Sequence, residues 1–430
     1  MKKIQNIITV IVAGLALVLT SCEGQLALDP HSAVSPGSVT EADIPQLRVG
    51  MYWEVQENPS RTSYILMDLL GGNLTQKNAT STQALINTIL NPQNGIIESA
   101  WQGFYKALYQ VNNVYEIAQG LPAGDTRDLV LGECHYFRAY IHLQLVTRFG
   151  DVPLLKENVA GGVARTPAEE VWRFIYDELD LAIELLGANT NYYYLSADAA
   201  TALKARVALY MGKNSEAAAL AESIIANSRY QLDSFDNIFR ATNNSETIFA
   251  FECLTADGSA ISISNLFYSY NHPNKGSYSY QPAPDVMTLY EDEDLRKDIS
   301  VTVLDNLNFI NKYPSGQVGT DPVIISRLGE MYLISAEAQG LAGGGLVRLN
   351  QLRTARGLKE VNPTNDKAFQ EAILLERRKE LLCENHAWYD YVRTGTAVEK
   401  LGIQEYQTLL PLPESEMQNN KLLRPQNPQY

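Results

Sequence analysis

Tyrosine is the residue type best suited to bind a ligand in this sequence, which has 24 tyrosines but only four tryptophans. Four tyrosines alternate in two pairs around a short polar segment: Tyr268, Tyr270, Tyr278 and Tyr280. If that segment is a β-hairpin, residues two positions apart point to one face, so both pairs can form one aromatic surface. Such a surface could stack on the C–H bonds of a sugar ring. The alternative is a hairpin packed onto the protein body, and the tyrosine run at 192–194 is a second candidate surface.

Patterns for catalysis and metal binding are weak. The acidic run from Glu291 to Asp294 could supply paired carboxylates for glycoside hydrolysis, but a solvated turn before Arg296 and Lys297 explains it better. The run also lacks the glycine and the terminal glutamate of a calcium loop. His135 and His142 lie seven residues apart without an HExxH motif, so core or surface positions are favoured over metal ligation. The sequence therefore predicts no catalytic residue, no cofactor and no metal.

The N-terminus has the pattern of a bacterial export signal. Lys2 and Lys3 precede a largely apolar run from Ile7 to Leu19, which is shorter than the roughly 20 residues that span a bilayer. The run ends at Leu19-Thr20-Ser21-Cys22, where small residues precede a cysteine as in a lipobox. We therefore predict removal of the signal peptide 1–21 and acylation of Cys22, which would anchor the protein without a membrane span. The alternative is an ordinary secretory signal with an incidental cysteine.

The composition describes a folded, acidic protein. Apolar residues make up 45% and charged residues 19% of the chain, which indicates a globular fold. The formal net charge is −15, and it becomes −17 without Lys2 and Lys3 because residues 1–21 contain no acidic group. This charge argues against nucleic acid and against electrostatic attraction to anionic lipid. With Cys22 acylated, three cysteines remain, so at least one is unpaired and no disulfide framework is expected.

Hydrophobic periodicity indicates a mainly α-helical fold. Helical hairpins are predicted at 196–226 and 326–356, with Ser196 as the N-cap of the first. Their irregular spacing is typical of degenerate tetratricopeptide-type repeats. Residues 232–322, rich in Ser, Asn, Tyr and Pro, are expected to form a less regular part on which these hairpins pack. The mixed charges at 376–380 are interpreted as an exposed helix face with local ion pairs.

Several motifs occur in a fixed order over nearly the whole chain after Cys22. They are Leu28-Asp29-Pro30, WQGFYKALYQVNN at 101–113, GECHYFRAYIHLQLVTRFGDVPL at 132–154, ALKARVALYMG at 202–212, RLGEMYLISAEA at 327–338, LNQLRTARG at 349–357, ERRKELLCENHAWYD at 376–390 and the closing NPQY. Together they resemble the SusD/RagB lipoproteins, nutrient-binding proteins of the Bacteroidetes. Any one motif is weak, but this many in order carry the resemblance.

The resemblance implies a fold, a location and a function. The fold is SusD-like, with regions 22–230 and 231–430 forming one intertwined unit. The protein would face the exterior, lipid-anchored in the outer membrane, capture a glycan, and pass it to a TonB-dependent (SusC-like) transporter without covalent chemistry. Ligand sites of the family also use the segment before the tryptophan helix, here 68–83. Its polar candidates are Asp68, Asn73 and Gln76.

Other ligands and functions remain open. An oligopeptide could replace the glycan within the same class. A secreted glycoside hydrolase and a repeat scaffold protein are alternatives from other classes. Trp101, Trp172 and Trp388 are expected in the core, and Trp53 is undecided with the core favoured. Ligand stacking would then depend mainly on the tyrosines.

Overall fold

The computed structural model describes residues 39–78, 82–240, 243–255 and 261–430. The predicted signal peptide, the lipobox with Cys22 and the Leu28-Asp29-Pro30 motif lie outside the described residues. The chain divides into two compact units, Met1–Ile44 and Pro45–Tyr430. In the first, the described residues include a short 3₁₀ turn, Glu41–Asp43. The second unit contains the elements discussed below, and the predicted boundary at residue 230 within it remains a prediction.

The fold is mainly α-helical, which confirms the predicted fold class. The N-terminal helices are α1 (Ile44–Glu57), α2 (Leu66–Leu70), α3 (Gln83–Ile86), α4 (Gly95–Gln119), α5 (Asp125–Phe149), α6 (Ala168–Leu185), α7 (Ala197–Tyr210), α8 (Asn214–Ile225) and α9 (Phe235–Arg240). The C-terminal helices are α10 (Lys297–Ser300), α11 (Leu328–Gln339), α12 (Gly345–Ala355), α13 (Asp366–Glu380), α14 (Ala387–Arg393), α15 (Ala397–Leu401) and α16 (Glu414–Asn419).

The long helices pack in chain order to form the scaffold. Helix α4 packs on α5, α5 on α6, α6 on α7 and α7 on α8, and α11 then packs on α8 and α12. Both predicted helical hairpins are therefore present. The Ser196 side chain accepts a hydrogen bond from Ala199 N at 3.2 Å, which confirms the predicted N-cap of α7. In α4, a Cβ on Gly103 would overlap the carbonyl oxygen of Asn58, so glycine permits this close approach.

Short strands occur mainly in the less regular part. They are β1 (Leu74–Gln76), β2 (Thr247–Phe251), β3 (Tyr280–Pro282), β4 (Val301–Leu304), β5 (Leu307–Ile310) and β6 (Val323–Arg327). They pair antiparallel as β1–β3, β2–β6 and β4–β5. The pair β2–β6 joins the less regular part to the start of α11, because β6 leads directly into that helix.

Four of the five residues in the charged segment 376–380 are buried, which corrects the prediction of an exposed face. Glu380 is fully buried and accepts hydrogen bonds from Arg296, Arg327 and Arg356 at 2.8, 2.6 and 2.8 Å. Burial alone would raise the pKa of Glu380, but the three guanidinium groups hold it well below its usual range. Helical periodicity places these charged residues on a helix, but it contains no information on ion-pair partners that lie far away in the chain.

We call this group the buried charge network. Its basic members are Arg296, Lys312, Arg327 and Arg356, and its acidic members are Glu246, Asp294, Glu376, Glu380 and Glu384. Each of these residues is at most 9% exposed. Asp294, expected in a solvated turn, instead accepts two hydrogen bonds from the Arg296 guanidinium at 2.8 Å. Three of its members, Asp294, Glu376 and Glu380, were predicted to be solvent-exposed and are instead buried.

Cysteines and histidines agree with the sequence expectations. Cys134 and Cys383 are free and buried, and Cys253 is also buried. His135 lies 2.9 Å from the Glu178 carboxylate, and His142 lies 2.8 Å from the carbonyl oxygen of Arg138. Both rings therefore occupy core positions, and His142 Nε2 is buried there without a hydrogen-bond partner among the described residues.

Three of the four tryptophans are at least partly buried. Trp101 and Trp388 belong to the core, and Trp172 is half-buried against Tyr389. Trp53 is 46% exposed, so the core position favoured for it is wrong. Across the part of the chain that the structure describes, none of the helices combines the length and hydrophobicity needed to cross a membrane.

Candidate functional site

The two segments predicted to contribute ligand contacts are neighbours in the fold. Strand β1 pairs with β3, and Gln76 lies opposite Tyr280. Just beyond the ladder, Lys77 N and Asn78 N both donate to the carbonyl oxygen of Ser279, at 2.9 and 3.2 Å. We call residues 76–78 together with 270–279 the loop surface. The sequence singled out both segments but did not predict that they pair.

Three of the four predicted tyrosines are core residues. Tyr268, Tyr278 and Tyr280 are 0%, 5% and 3% exposed. Tyr268 and Tyr278 pack around Phe309 of β5, and their hydroxyls donate to Asn311 Oδ1 and to the Asn308 carbonyl, both at 3.0 Å. The predicted shared platform is therefore not formed, because rings that are covered by protein cannot stack on a ligand.

Tyr270 is the member of the four that solvent reaches, with 75% of its surface exposed. Its loop is fixed by backbone hydrogen bonds, from His272 N to Ser269 O at 3.1 Å and from Gln317 N to Asn274 O at 3.1 Å. Gly316 has a φ of +53°, and a Cβ there would overlap the Asn274 carbonyl oxygen. Only glycine fits this approach, so Tyr270 projects from a loop whose backbone is preorganised.

Polar side chains accompany Tyr270 on the loop surface. Lys275 Nζ lies 5.9 Å from the centre of the Tyr270 ring. Lys77, Asn78 and Asn271 are exposed, and Gln76 is half-exposed. The loop surface thus combines one accessible aromatic ring with ammonium and amide groups. Such groups can donate hydrogen bonds to hydroxyl oxygens, and the amides can also accept them.

Asp68 and Asn73 are structural residues, which corrects their predicted role as ligand contacts. Both are fully buried. The Asp68 carboxylate accepts hydrogen bonds from Asn73 Nδ2, Cys383 N and Asn385 N at 2.8 to 2.9 Å. Burial raises the pKa of Asp68 to about 6, against the opposing effect of these three donors. The pair ties the segment before β1 to the loop after α13, so it can position the loop surface without touching a ligand.

The tyrosine run at 192–194 lies on a different part of the fold. Its rings are half-exposed, and those of Tyr192 and Tyr193 are 4.5 Å apart at 62°. Tyr194 packs edge-on against Tyr52 of α1 at 5.5 Å, and the Arg48 guanidinium lies 5.7 Å from its ring centre. Because Tyr194 already contacts these two side chains, the run offers less free ring surface than Tyr270.

The described residues contain no group of three or more His, Cys, Asp or Glu side chains arranged to hold a metal ion. An internal cavity of about 50 Å³ lies among Tyr64, Tyr140, Arg206 and His386. That volume suits a few water molecules, and ligand pockets are usually about 300 Å³ or larger. The loop surface is therefore a better candidate for a ligand site than this cavity.

The fold is that of a helical-repeat protein carrying an irregular part with short strands and exposed loops, and comparison with known proteins identifies its family. Residues 28–209 match a SusD-like family model described as "Starch-binding associating with outer membrane". Residues 300–408 match the model of the SusD family. The chain belongs to the SusD/RagB family, as its motifs predicted.

Similarity to individual proteins extends over almost the full chain. SusD-like protein P38 of Formosa agariphila is 25% identical over an alignment of 474 positions, which covers 94% of each protein. A SusD superfamily protein from Bacteroides vulgatus has a TM-score of 0.81 at 19% identity, covering 91% of this chain and 99% of that one. A structure described as a laminarin-binding SusD-like protein has a TM-score of 0.78 at 23% identity, with coverages of 90% and 99%.

Proposed function

We propose that this protein captures a glycan at the bacterial surface and delivers it to a TonB-dependent outer-membrane transporter. The observation that carries the proposal is the exposed Tyr270 ring on a preorganised loop, with the Lys275 ammonium 5.9 Å from the ring centre and further exposed amide and ammonium groups on the same loop surface. An aromatic face with hydrogen-bonding side chains around it suits a sugar ring, which presents C–H bonds on its face and hydroxyls at its edge. No covalent step is needed for capture and release.

The family context supports a sugar as the ligand. One of the matching family models is described as starch-binding, and one structural neighbour is described as laminarin-binding. The location rests on the sequence, through the predicted lipobox at Cys22 and the outer-membrane association in the family description. We infer that acyl chains on Cys22 hold the protein on the outer face of that membrane, beside its transporter.

The ligand is tested by binding of the purified protein to a panel of neutral polysaccharides that includes laminarin and starch, with oligopeptides in parallel. We expect a polysaccharide to bind and Tyr270→Ala to weaken it about 3- to 10-fold, the effect of losing one aromatic contact. Tyr270→Phe should bind like the wild type, and Tyr176→Ala on α6 is the matched control. Binding of peptides alone would favour the oligopeptide alternative, and hydrolysis of the bound polysaccharide would favour an enzyme.

Delivery and anchoring require separate measurements. Co-purification of a TonB-dependent transporter from detergent-solubilised outer membranes tests the proposed partner, and its absence would contradict delivery. Cys22→Ser should release the protein from the membrane fraction. A variant that stays in that fraction would contradict the proposed lipid anchor.

A further inference from the structure

A groove beside helix α4 contains none of the residues predicted to bind a ligand. It has a volume of about 290 Å³ and lies between α4, the loop 153–163 and the C-terminal segment 416–423. This volume is close to the lower end of the range of small-molecule sites, which begins at about 300 Å³. The groove shares no residue with the loop surface, so a ligand there would be held by different elements.

Trp101 and Tyr105 line this groove on the α4 side, and Tyr109 lies one turn beyond them, outside the lining. Trp101, Tyr105 and Tyr109 follow one another at intervals of four along α4, so they lie on one face of the helix. Trp101 is buried at the base, with its ring 5.0 Å from that of Tyr105. The Tyr105 hydroxyl donates to Pro153 O at 2.9 Å, which fixes its ring. Tyr109, one turn further on, is 58% exposed.

The opposite wall is apolar and is tied to α4. Val159 is 49% exposed, and the neighbouring Asn158 Nδ2 donates to the Tyr109 carbonyl oxygen at 3.0 Å. Asn420 Nδ2 donates to Val163 O at 2.8 Å, which links the loop to the C-terminal segment. Both contacts hold the walls at a fixed distance, so the groove is preformed and does not need a ligand to assemble it.

The polar atoms along the groove are mainly acceptors. Gln102 Nε2 donates to Glu416 Oε1 at 2.8 Å. This leaves Gln102 Oε1 and Glu416 Oε2 without a partner among the described residues. Glu98, at the same end of α4, accepts from the Ser415 hydroxyl. Within the described chain neither Glu98 nor Glu416 forms an ion pair, so the groove suits a ligand that donates hydrogen bonds and carries no negative charge.

We propose that this groove is a second glycan site, which takes one ring of a neutral saccharide. The sugar face packs against the exposed part of Tyr105 and extends toward Tyr109 beyond the end of the lining, and its hydroxyls donate to Gln102 Oε1 and Glu416 Oε2. The inference rests on the proposed function, because it takes the ligand to be a glycan. A protein partner fits less well, since a stable protein interface covers about 800 Å² on each side, and this groove has the size of one sugar ring.

Two glycan sites on one protein would raise the apparent affinity for long polysaccharides. A long chain that reaches both sites binds the second one intramolecularly, so its apparent affinity exceeds that of a short oligosaccharide by a factor of about 10² or more. Loss of either site removes this gain. A short oligosaccharide, in contrast, occupies each site independently.

The test uses the purified full protein and calorimetry with a short oligosaccharide of whichever panel polysaccharide binds. We expect two sites per chain for the wild type and one for the double variant Tyr109→Ala/Gln102→Ala. Tyr270→Ala should weaken the other site and leave the groove site intact. Gln119→Ala, on the last turn of α4 and outside the groove lining, is the matched control. Melting temperatures of all variants establish that they fold.

The outcomes separate this inference from the proposed function. One site per chain that depends on Tyr270 alone overturns the second site and leaves the proposed function standing. No binding of any saccharide overturns both. Electron density for a sugar ring beside Tyr109 in crystals soaked with the oligosaccharide supports the site independently of the variants. Binding of a peptide in the groove without any saccharide there overturns it.

Discussion

The buried ammonium group of Lys312 provides a test of how the C-terminal half is stabilised. Its side chain is fully buried, and Nζ donates to Glu380 O, Leu382 O and Glu384 Oε1 at 3.1, 2.9 and 2.5 Å. All three of its N–H groups therefore have acceptors. Lys312 Nζ also lies 4.5 Å from the centre of the Phe239 ring.

Replacement of this lysine by methionine keeps most of the side-chain volume and removes the three donors. Glu384 retains two hydrogen bonds from Arg327 at 2.8 Å, and the Glu380 carbonyl oxygen retains one from Arg327 at 2.7 Å. The loss is therefore concentrated on the Leu382 carbonyl oxygen. Each buried acceptor left without a partner costs about 1 to 3 kcal/mol. Removal of one member of a buried ion pair typically costs about 3 to 5 kcal/mol. We expect Lys312→Met to lower the free energy of unfolding by about 3 kcal/mol or more.

Urea denaturation followed by circular dichroism at neutral pH measures this loss. The matched control is Lys297→Met, which removes a lysine whose partner Asp292 is exposed at the surface. It should leave the denaturation midpoint unchanged, because exposed ion pairs contribute little. A Lys312→Met protein within about 1 kcal/mol of the wild type would refute the argument, since one unsatisfied buried carbonyl already costs that much.

Two further predictions concern Asp68 and the glycine contacts of the scaffold. Burial raises the pKa of Asp68 to about 6 from an ordinary value of 3.8, so its contribution to stability is full below pH 3.8 and is lost as the pH rises through 6. We expect the loss of unfolding free energy caused by Asp68→Asn, measured by denaturation of the variant and the wild type, to become smaller from pH 5 to pH 7.5. A loss that stays constant over this range would contradict the prediction. Gly103→Ala should lower the melting temperature strongly, because its Cβ would overlap the Asn58 carbonyl oxygen. In α1, a Cβ on Gly50 would meet no atom within 4 Å. Gly50→Ala should therefore raise the melting temperature slightly, since alanine favours a helix over glycine by about 1 kcal/mol. Equal changes in melting temperature for the two substitutions would be inconsistent with the packing.

The sequence predicted the regular half of the fold well because its signals are local. The Ser196 cap and the apolar spacing of α7 and α8 depend on residues within one or two turns, and the structure has both helices close to the predicted bounds. Family motifs supplied the order of the elements. The ion pairs of Glu380 with Arg296, Arg327 and Arg356 were not predictable in this way, because the partners lie 84, 53 and 24 residues away.

The candidate site was predictable only in part. Alternation of Tyr268, Tyr270, Tyr278 and Tyr280 is compatible both with a surface platform and with a packed core, and period alone cannot separate the two. The deciding residue is Phe309, which comes from β5 and covers two of the rings. The groove beside α4 was missed because Trp101 and Tyr105 belong to a motif that was assigned to the scaffold. Tyr109, within the same motif, is nevertheless exposed.

The buried charge network also constrains the order in which this chain can fold. Its basic members Arg296, Arg327 and Arg356 emerge before Glu380 and Glu384, which supply carboxylates close to the C-terminus. An incomplete chain would have only Asp294 and Glu246 to pair with these three guanidinium groups, and a buried charge without its full set of partners is costly. The C-terminal half should therefore stay unfolded until nearly all of it has been synthesised. If the chain is exported as proposed, a core that closes this late would keep the chain from folding in the cytoplasm before it crosses the membrane.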